Sequence, residues 1–212
     1  MQIAIPIFDR FTALDAVGPY EVLQRLPDAT VTFVGHRRGG VRTENRFLEV
    51  TVDATFDELA APDVVVVPGG VGTRVLVEDG PILDWIRGAH RTSTFTTSVC
   101  SGALLLAAAG LLDGLTATTH WGARKELAAL GAVPVPERVV EHLDRRIVTA
   151  AGVSAGIDMA LRLAELLTDR TTAEAMQLEI EYDPQPPFSA GAIETAGDDV
   201  LARLRELLQV KN

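Results

Sequence analysis

The sequence predicts a single α/β domain built on a mostly parallel sheet with helices on both faces. Short β-branched runs alternate with longer helical patterns along the chain, which is the mark of βα units feeding one sheet. The run Asp63-Val64-Val65-Val66-Val67 lacks the polar alternation of a half-exposed strand, so it reads as a central strand covered on both faces. With 212 residues, 47% of them hydrophobic, the chain can bury a sizeable core, which excludes disorder over its whole length.

The elements follow in order. Met1 to Phe8 reads as the first strand, and its acid at Asp9 and lack of a basic leader are unlike a secretory signal. A first helix is expected over roughly 16–26 and a second strand at Val31-Thr32-Phe33-Val34. The central valine strand ends in Pro68-Gly69-Gly70-Val71-Gly72, a breaker cluster where the chain must leave the sheet. Thr94 to Val99 is another strand, and Ser101 to Ala107 turns helical at once, leaving Cys100 on the junction. Trp121 to Leu130 reads as helix, Val133 to Val140 as extended chain, Arg146 to Thr149 as strand and Ile157 to Leu167 as helix. Asp183-Pro184-Gln185-Pro186-Pro187-Phe188 cannot be helical, because proline removes donors and restricts its predecessor. Residues 1–190 are therefore expected to form the α/β domain and 191–212 a C-terminal extension whose amphipathic helix covers Val200 to Leu208.

Charge and cysteine usage narrow the function classes. Nineteen Lys+Arg stand against 29 Asp+Glu, a formal charge of −10, which disfavours a nucleic-acid or anionic-membrane partner that must be met with basic side chains. The longest apolar stretch, Ala103 to Leu112, is far short of the roughly 20 residues that cross a bilayer. One cysteine allows no intrachain disulfide and no thiol cluster for zinc. A reducing cytoplasmic setting is expected.

Several motifs compete for the chemistry. Gly70-Val71-Gly72-Thr73-Arg74-Val75 begins like a dinucleotide fingerprint, but its third glycine is Val75 and no phosphate loop exists; a tight turn whose amides can face an anion is the better reading. Gly152-Val153-Ser154-Ala155-Gly156 matches a serine nucleophile elbow. In α/β-hydrolases the histidine follows the serine, whereas His36, His90, His120 and His142 all precede Ser154. A helix N-cap at Ser154, with Asp158 near the positive end of the dipole, accounts for the motif. The four histidines have no metal-ligand spacing, and His120 reads as a packed, hydrogen-bonded residue.

Cys100 differs in kind. Ser98-Val99-Cys100-Ser101-Gly102 places a thiol on a sharp strand-to-helix turn among small neighbours. There it is expected to be exposed, with the first amides of the next helix stabilising its thiolate; the competing reading is a cysteine that simply fills core. No histidine adjoins it, and Asp15, at the carboxyl side of the first strand, is the best proton-handling partner. A carboxyl near a thiolate has a raised pKa and can serve as an acid, although aspartate also suits a helix N-cap. Glu21 is the rival carboxylate and reads as solvated.

The chain resembles the DJ-1/PfpI superfamily, and within it the isonitrile hydratase subgroup. The resemblance rests on Leu14-Asp15-Ala16-Val17-Gly18-Pro19, Val67-Pro68-Gly69-Gly70, Thr97 to Gly102 with Ala109 to Leu112, Ala117-Thr118-Thr119-His120-Trp121, Ala155-Gly156-Ile157-Asp158, and Gln177 to Tyr182 with Pro186-Pro187-Phe188. It implies a flavodoxin-like three-layer sandwich and the addition of water to an isonitrile, R–N≡C, giving an N-substituted formamide. It further implies Cys100 as nucleophile, Asp15 or water as proton donor, Ser101 as a hydrogen-bonding support for Asp15 or the sulfur, the backbone amides of Gly70 and Ser101 near the developing negative charge, and Ala151 with Gly70 at the oxyanion or substrate position. No metal or organic cofactor is implied. Homodimers with the site near the subunit boundary are expected, the arm from Asp183 to Phe188 being a reasonable interface element. Two departures stand out: Ser101 replaces the subgroup's threonine and keeps its hydroxyl, and Ala150-Ala151-Gly152 replaces a glycine-rich run, which bears on substrate range. The amino-terminal domains of some AraC-type regulators share much of this pattern, so a ligand- or redox-sensing module is the opposing reading. The acidic balance and the roughly 15 residues after Gly197 argue against direct DNA binding.

Overall fold

A computed structural model describes residues 1–209. In chain order the strands are β1 (Gln2–Pro6), β2 (Thr30–Gly35), β3 (Gly39–Arg42), β4 (Glu49–Val52), β5 (Ala54–Thr55), β6 (Val64–Val67), β7 (Phe95–Val99), β8 (Thr116–Ala117), β9 (Val133–Pro134), β10 (Val139–His142) and β11 (Ile147–Ala150). The helices are α1 (Ala13–Leu23), α2 (Thr73–Leu76), α3 (Gly80–Thr92), α4 (Gly102–Ala108), α5 (Arg124–Ala129), α6 (Ala155–Leu167), α7 (Arg170–Glu179) and α8 (Asp198–Gln209).

Seven strands form the central sheet in the order β10-β11-β7-β6-β1-β2-β5. All neighbours are parallel except β10 against β11, so the mostly parallel, helix-covered sandwich expected from the sequence is the observed fold. β6 and β7 are fully buried along their length, as a strand without polar alternation requires. β3 and β4 make a separate antiparallel pair, and β8 and β9 a short parallel one.

Helix packing at the carboxyl ends of the strands is unusually close. α1 and α6 pack together, and a Cβ at Gly156 would sit 3.1 Å from Val99 and 3.2 Å from Pro19. At Gly102, the first residue of α4, a Cβ would lie 2.1 Å from the Val67 carbonyl oxygen, so only glycine lets the helix start this close to the end of β6. These contacts draw the turns after β1, β6, β7 and β11 to one place.

Element boundaries shift from the sequence reading by a few residues. α1 starts three residues earlier and ends three earlier than expected, so Asp15 lies in its first turn, with Thr12 at the N-cap. The segment read as one extended run over 133–140 is two short strands in different sheets. Helices α3 and α7 were not anticipated. By contacts, Met1–Ile180 forms one compact unit and the chain from Glu181 a second, against a sequence boundary placed after 190. Within the second unit Asp183 to Phe188 is non-helical and α8 follows. No helix among the described residues is long and apolar enough to cross a membrane.

Candidate active site at the Cys100 turn

Cys100 joins β7 to α4 with φ of +58°, in the left-handed region that costs a side chain roughly 1–2 kcal/mol. Three hydrogen bonds hold it there. Its N–H donates to the carbonyls of Ala150 (3.1 Å) and Ala151 (2.9 Å) at the end of β11, and its own carbonyl accepts from Thr119 Oγ1 at 2.8 Å. A strained backbone fixed from both sides is the geometry of a nucleophile elbow.

The environment of the sulfur corrects two expectations. Cys100 is only 6% exposed, because the loops after β1, β6 and β11 close over the turn. Burial pushes the thiol up to about 12, and the charge of Asp15 adds to the effect. Amides do point at the sulfur, those of Ser101 and Val153, and favour the anion; α4 has only seven residues, and its dipole with these two donors does not outweigh desolvation. The resting sulfur is a thiol.

Asp15 meets it from α1. The carboxyl is fully buried, hydrogen-bonds with the Cys100 side chain, and accepts the Gly69 N–H on Oδ2 at 2.9 Å. Burial raises its pKa to about 7, partly offset by the Gly69 and Cys100 hydrogen bonds, with Glu44 adding a further rise. Oδ1 has no hydrogen-bond partner among the described residues. Thr12, not Asp15, occupies the N-cap, and its side chain makes no capping bond; Thr12 Oγ1 instead donates to Glu44 at 3.1 Å. Glu21 is half exposed and pairs with Arg25, in line with the solvated reading.

The other expected residues fall around this pair in different roles. Ser101 Oγ accepts the Gly70 N–H (2.9 Å), donates to the Gly70 carbonyl (3.1 Å) and accepts from Thr73 Oγ1 (3.2 Å). Its hydroxyl therefore braces the turn after β6 and makes no hydrogen bond to Asp15 or the sulfur; its backbone amide is what reaches the sulfur. The same bond takes up the Gly70 N–H, so that amide is not open to a developing anion. The Ala151 N–H is likewise taken, by the Arg138 carbonyl at 2.9 Å, and Ala151 acts through its own carbonyl on the Cys100 backbone. Gly70, at φ +132°, sits so close to Arg10 and Thr12 that a Cβ would lie 2.5 Å from the Arg10 oxygen.

Val153 and Gly69 were missed. Val153 sits at φ +40° in the Gly152-to-Gly156 motif read as a serine elbow. That motif is a real turn, and the atom it offers is the Val153 amide. Ser154 Oγ accepts from Arg138 Nη2 at 3.2 Å and makes no cap bond. His120 lies against Gly152, where a Cβ would be 2.6 Å from its ring. Its Nδ1 accepts the Gly122 N–H at 3.1 Å, which places the ring proton on Nε2, and burial and Arg74 keep its pKa low. Among the described residues no group of three or more His, Cys, Asp or Glu is arranged to hold a metal ion. Two open grooves, of about 610 and 670 Å³, share His36 and are lined by none of Cys100, Asp15 and Ser101.

Chemically, the pair is a buried thiol facing a carboxylate. The carboxylate can take the thiol proton as the sulfur attacks an electrophile and return it afterwards.

The chain is 43% identical over 206 residues to the isonitrile hydratase of Pseudomonas putida, covering 97% of this chain and 89% of that protein. A ThiJ/PfpI family crystal structure from Pseudomonas syringae superposes with a TM-score of 0.91 at 38% identity, over 98% of this chain and 86% of that one. The HTH-type transcriptional regulator GbdR of Pseudomonas aeruginosa is 34% identical over 117 residues, 55% of this chain and 31% of that protein. The DJ-1/PfpI family model matches residues 1–166, which span β1 to α6 and every residue of the Cys100 turn: the chain belongs to the DJ-1/PfpI family.

Proposed function

We propose that this protein is an isonitrile hydratase, with Cys100 as nucleophile and Asp15 as the group that moves protons. The observation that carries the proposal is the buried Asp15–Cys100 pair in a chain 43% identical to an isonitrile hydratase.

The steps balance with one thiol, one carboxyl and one water. Asp15 takes the Cys100 proton as sulfur bonds to the terminal carbon of R–N≡C, then delivers that proton to the same carbon. The product is the thioimidate R–N=CH–S–Cys, in which one S–H bond has been exchanged for a C–S and a C–H bond. Asp15, again a carboxylate, takes a proton from water as the water oxygen adds to that carbon and passes it to the nitrogen, giving R–NH–CH(OH)–S–Cys. The C–S bond then breaks as the hydroxyl proton passes through Asp15 to the sulfur, and the formamide R–NH–CHO leaves. The Ser101 and Val153 amides stabilise charge on sulfur as it attacks and leaves. Ser101 Oγ, Gly70 and Ala151 act as positioning groups in this scheme. The steps call on no metal or organic cofactor, the substrate is a small molecule in the cytoplasm, and no nucleic acid or membrane takes part. A homodimer belongs to the proposal, and light scattering showing only monomer at working concentration removes it.

The deciding experiment is turnover of a simple alkyl isonitrile, with the formamide followed by chromatography. Wild type is expected to turn over and Cys100→Ala is not. A folded wild type without turnover overturns the hydratase reading and favours a ligand-sensing protein.

A further inference from the structure

Beneath the Cys100 turn lies a set of buried hydroxyls that the scheme above does not use. Ser98 and Thr149 are register partners on the adjoining parallel strands β7 and β11, so their side chains leave the same face of the sheet. The Thr118 N–H donates to Thr149 Oγ1 at 3.0 Å, which brings Thr118 against that face. All three residues are at most 1% exposed. Ser98 Oγ and Thr118 Oγ1 are nevertheless without a hydrogen-bond partner among the described residues, and Thr149 Oγ1 is engaged only as an acceptor.

Two orphaned hydroxyls beside a third that still has a proton to give is an arrangement a folded protein rarely leaves dry, because each buried polar group without a partner loses its hydration uncompensated. A ladder carbonyl can accept a second bond, as the Val65 carbonyl does from Thr97 Oγ1 at 2.9 Å, yet neither Ser98 Oγ nor Thr118 Oγ1 reaches one. A water needs two to four polar partners, and these hydroxyls supply three.

We propose that Ser98, Thr118 and Thr149 form a closed binding site for one water molecule, and that this water positions the nucleophile. The route to Cys100 is short. Ser98 precedes it by two residues on β7, and Thr118 adjoins Thr119, whose Oγ1 holds the Cys100 carbonyl at 2.8 Å. A bridging water would tie β7, β11 and the 118–119 segment together, so that the +58° turn at Cys100 is held from below as well as from Ala150 and Ala151. Ser98, Thr118 and Thr149 are then positioning residues.

The test uses the wild-type protein and two isosteric or conservative variants. A crystal structure at high resolution is expected to show one ordered water about 2.7–3.2 Å from all three hydroxyl oxygens. Thr118→Val is expected to lower Tm by about 2–4 °C and to change the iodoacetamide alkylation rate of Cys100 by severalfold, while Thr118→Ser, which keeps the hydroxyl, restores both. Hydroxyls paired with one another or with main chain and no water between them overturn the proposal, as does a Thr118→Val variant more stable than wild type, the result for a dry, orphaned hydroxyl. An unchanged alkylation rate in a destabilised Thr118→Val overturns the positioning role and leaves a purely structural water. None of these readouts depends on isonitrile turnover, so failure here and failure of the hydratase reading are separable.

Discussion

The buried Asp15 carboxyl and Cys100 thiol are hydrogen-bonded to each other, and burial raises the pKa of both, to about 7 and about 12. The proton they share therefore rests on sulfur near neutral pH, and in the proposed reaction the carboxylate is the base that removes it. This pairing determines most of what the site is expected to do.

Activity should rise with pH through the Asp15 titration. Below pH 7 a growing fraction of Asp15 is protonated and cannot take the thiol proton, so kcat/KM for an isonitrile is expected to climb about tenfold per unit at low pH and level off above an apparent pKa near 7. A profile that is flat from pH 5 to 8 would argue against the base role.

Asp15→Asn should separate chemistry from stability. Loss of general acid–base catalysis is expected to cost about 10²–10⁴ in kcat. Because the folded pKa lies above the usual value of 3.8, the folded state binds the Asp15 proton more tightly than the unfolded state. Stability from this group is fully present below about pH 4 and declines as pH rises to about 7, by a few kcal/mol in all. Asn carries no charge at any pH, so Asp15→Asn should melt above wild type at pH 8 and lose that advantage at pH 4. Calorimetry at the two pH values checks it. The same variant removes the charge that raises the thiol pKa, so the pH at which thiolate absorbance appears should fall.

Cys100→Ala should abolish turnover with the fold intact. Cys100→Gly should be equally inactive and more stable than Cys100→Ala by about 1 kcal/mol, because only glycine occupies φ of +58° without cost. Equal melting temperatures for the two variants would mean that the turn stores no strain.

Gly69→Ala is expected to damage the site. A Cβ there would lie 2.5 Å from Ser101 N, 2.7 Å from Ser101 Oγ and 2.9 Å from Asp15 Oδ2, and backbone cannot give way by that much. A loss of at least ~10²-fold in kcat is expected from displacement of the reacting pair by a fraction of an ångström or more, with circular dichroism confirming that the sheet persists.

Ser154→Ala supplies the contrast. Its hydroxyl takes only a surface bond from Arg138, so activity should be unchanged and stability should move by no more than about 0.5 kcal/mol. Loss of activity would revive the serine-elbow reading of Gly152 to Gly156.

The sequence by itself determined the architecture and singled out Cys100 and Asp15 as the candidate pair. An unbroken valine run, helical stretches between strands, and a cysteine on the junction after Val99 are local patterns, and burial and chain direction act on them where they stand. The resemblance carried by the segments around Asp15, Gly70 and Cys100 extended that reading to the reaction. Tertiary structure decided the electrostatics and the donors. Whether Cys100 is exposed depends on loops after three other strands, and their closure turned an expected thiolate into a thiol with a raised pKa. The open amides could not be read from Gly70 or Ala151, because a donor's availability depends on which acceptor lies opposite it. Ser101 Oγ and the Arg138 carbonyl fill those places, and Val153 offers its amide only because the turn after β11 folds back over the sulfur. Sequence records which groups exist; which of them remain unpaired is fixed only when distant segments pack.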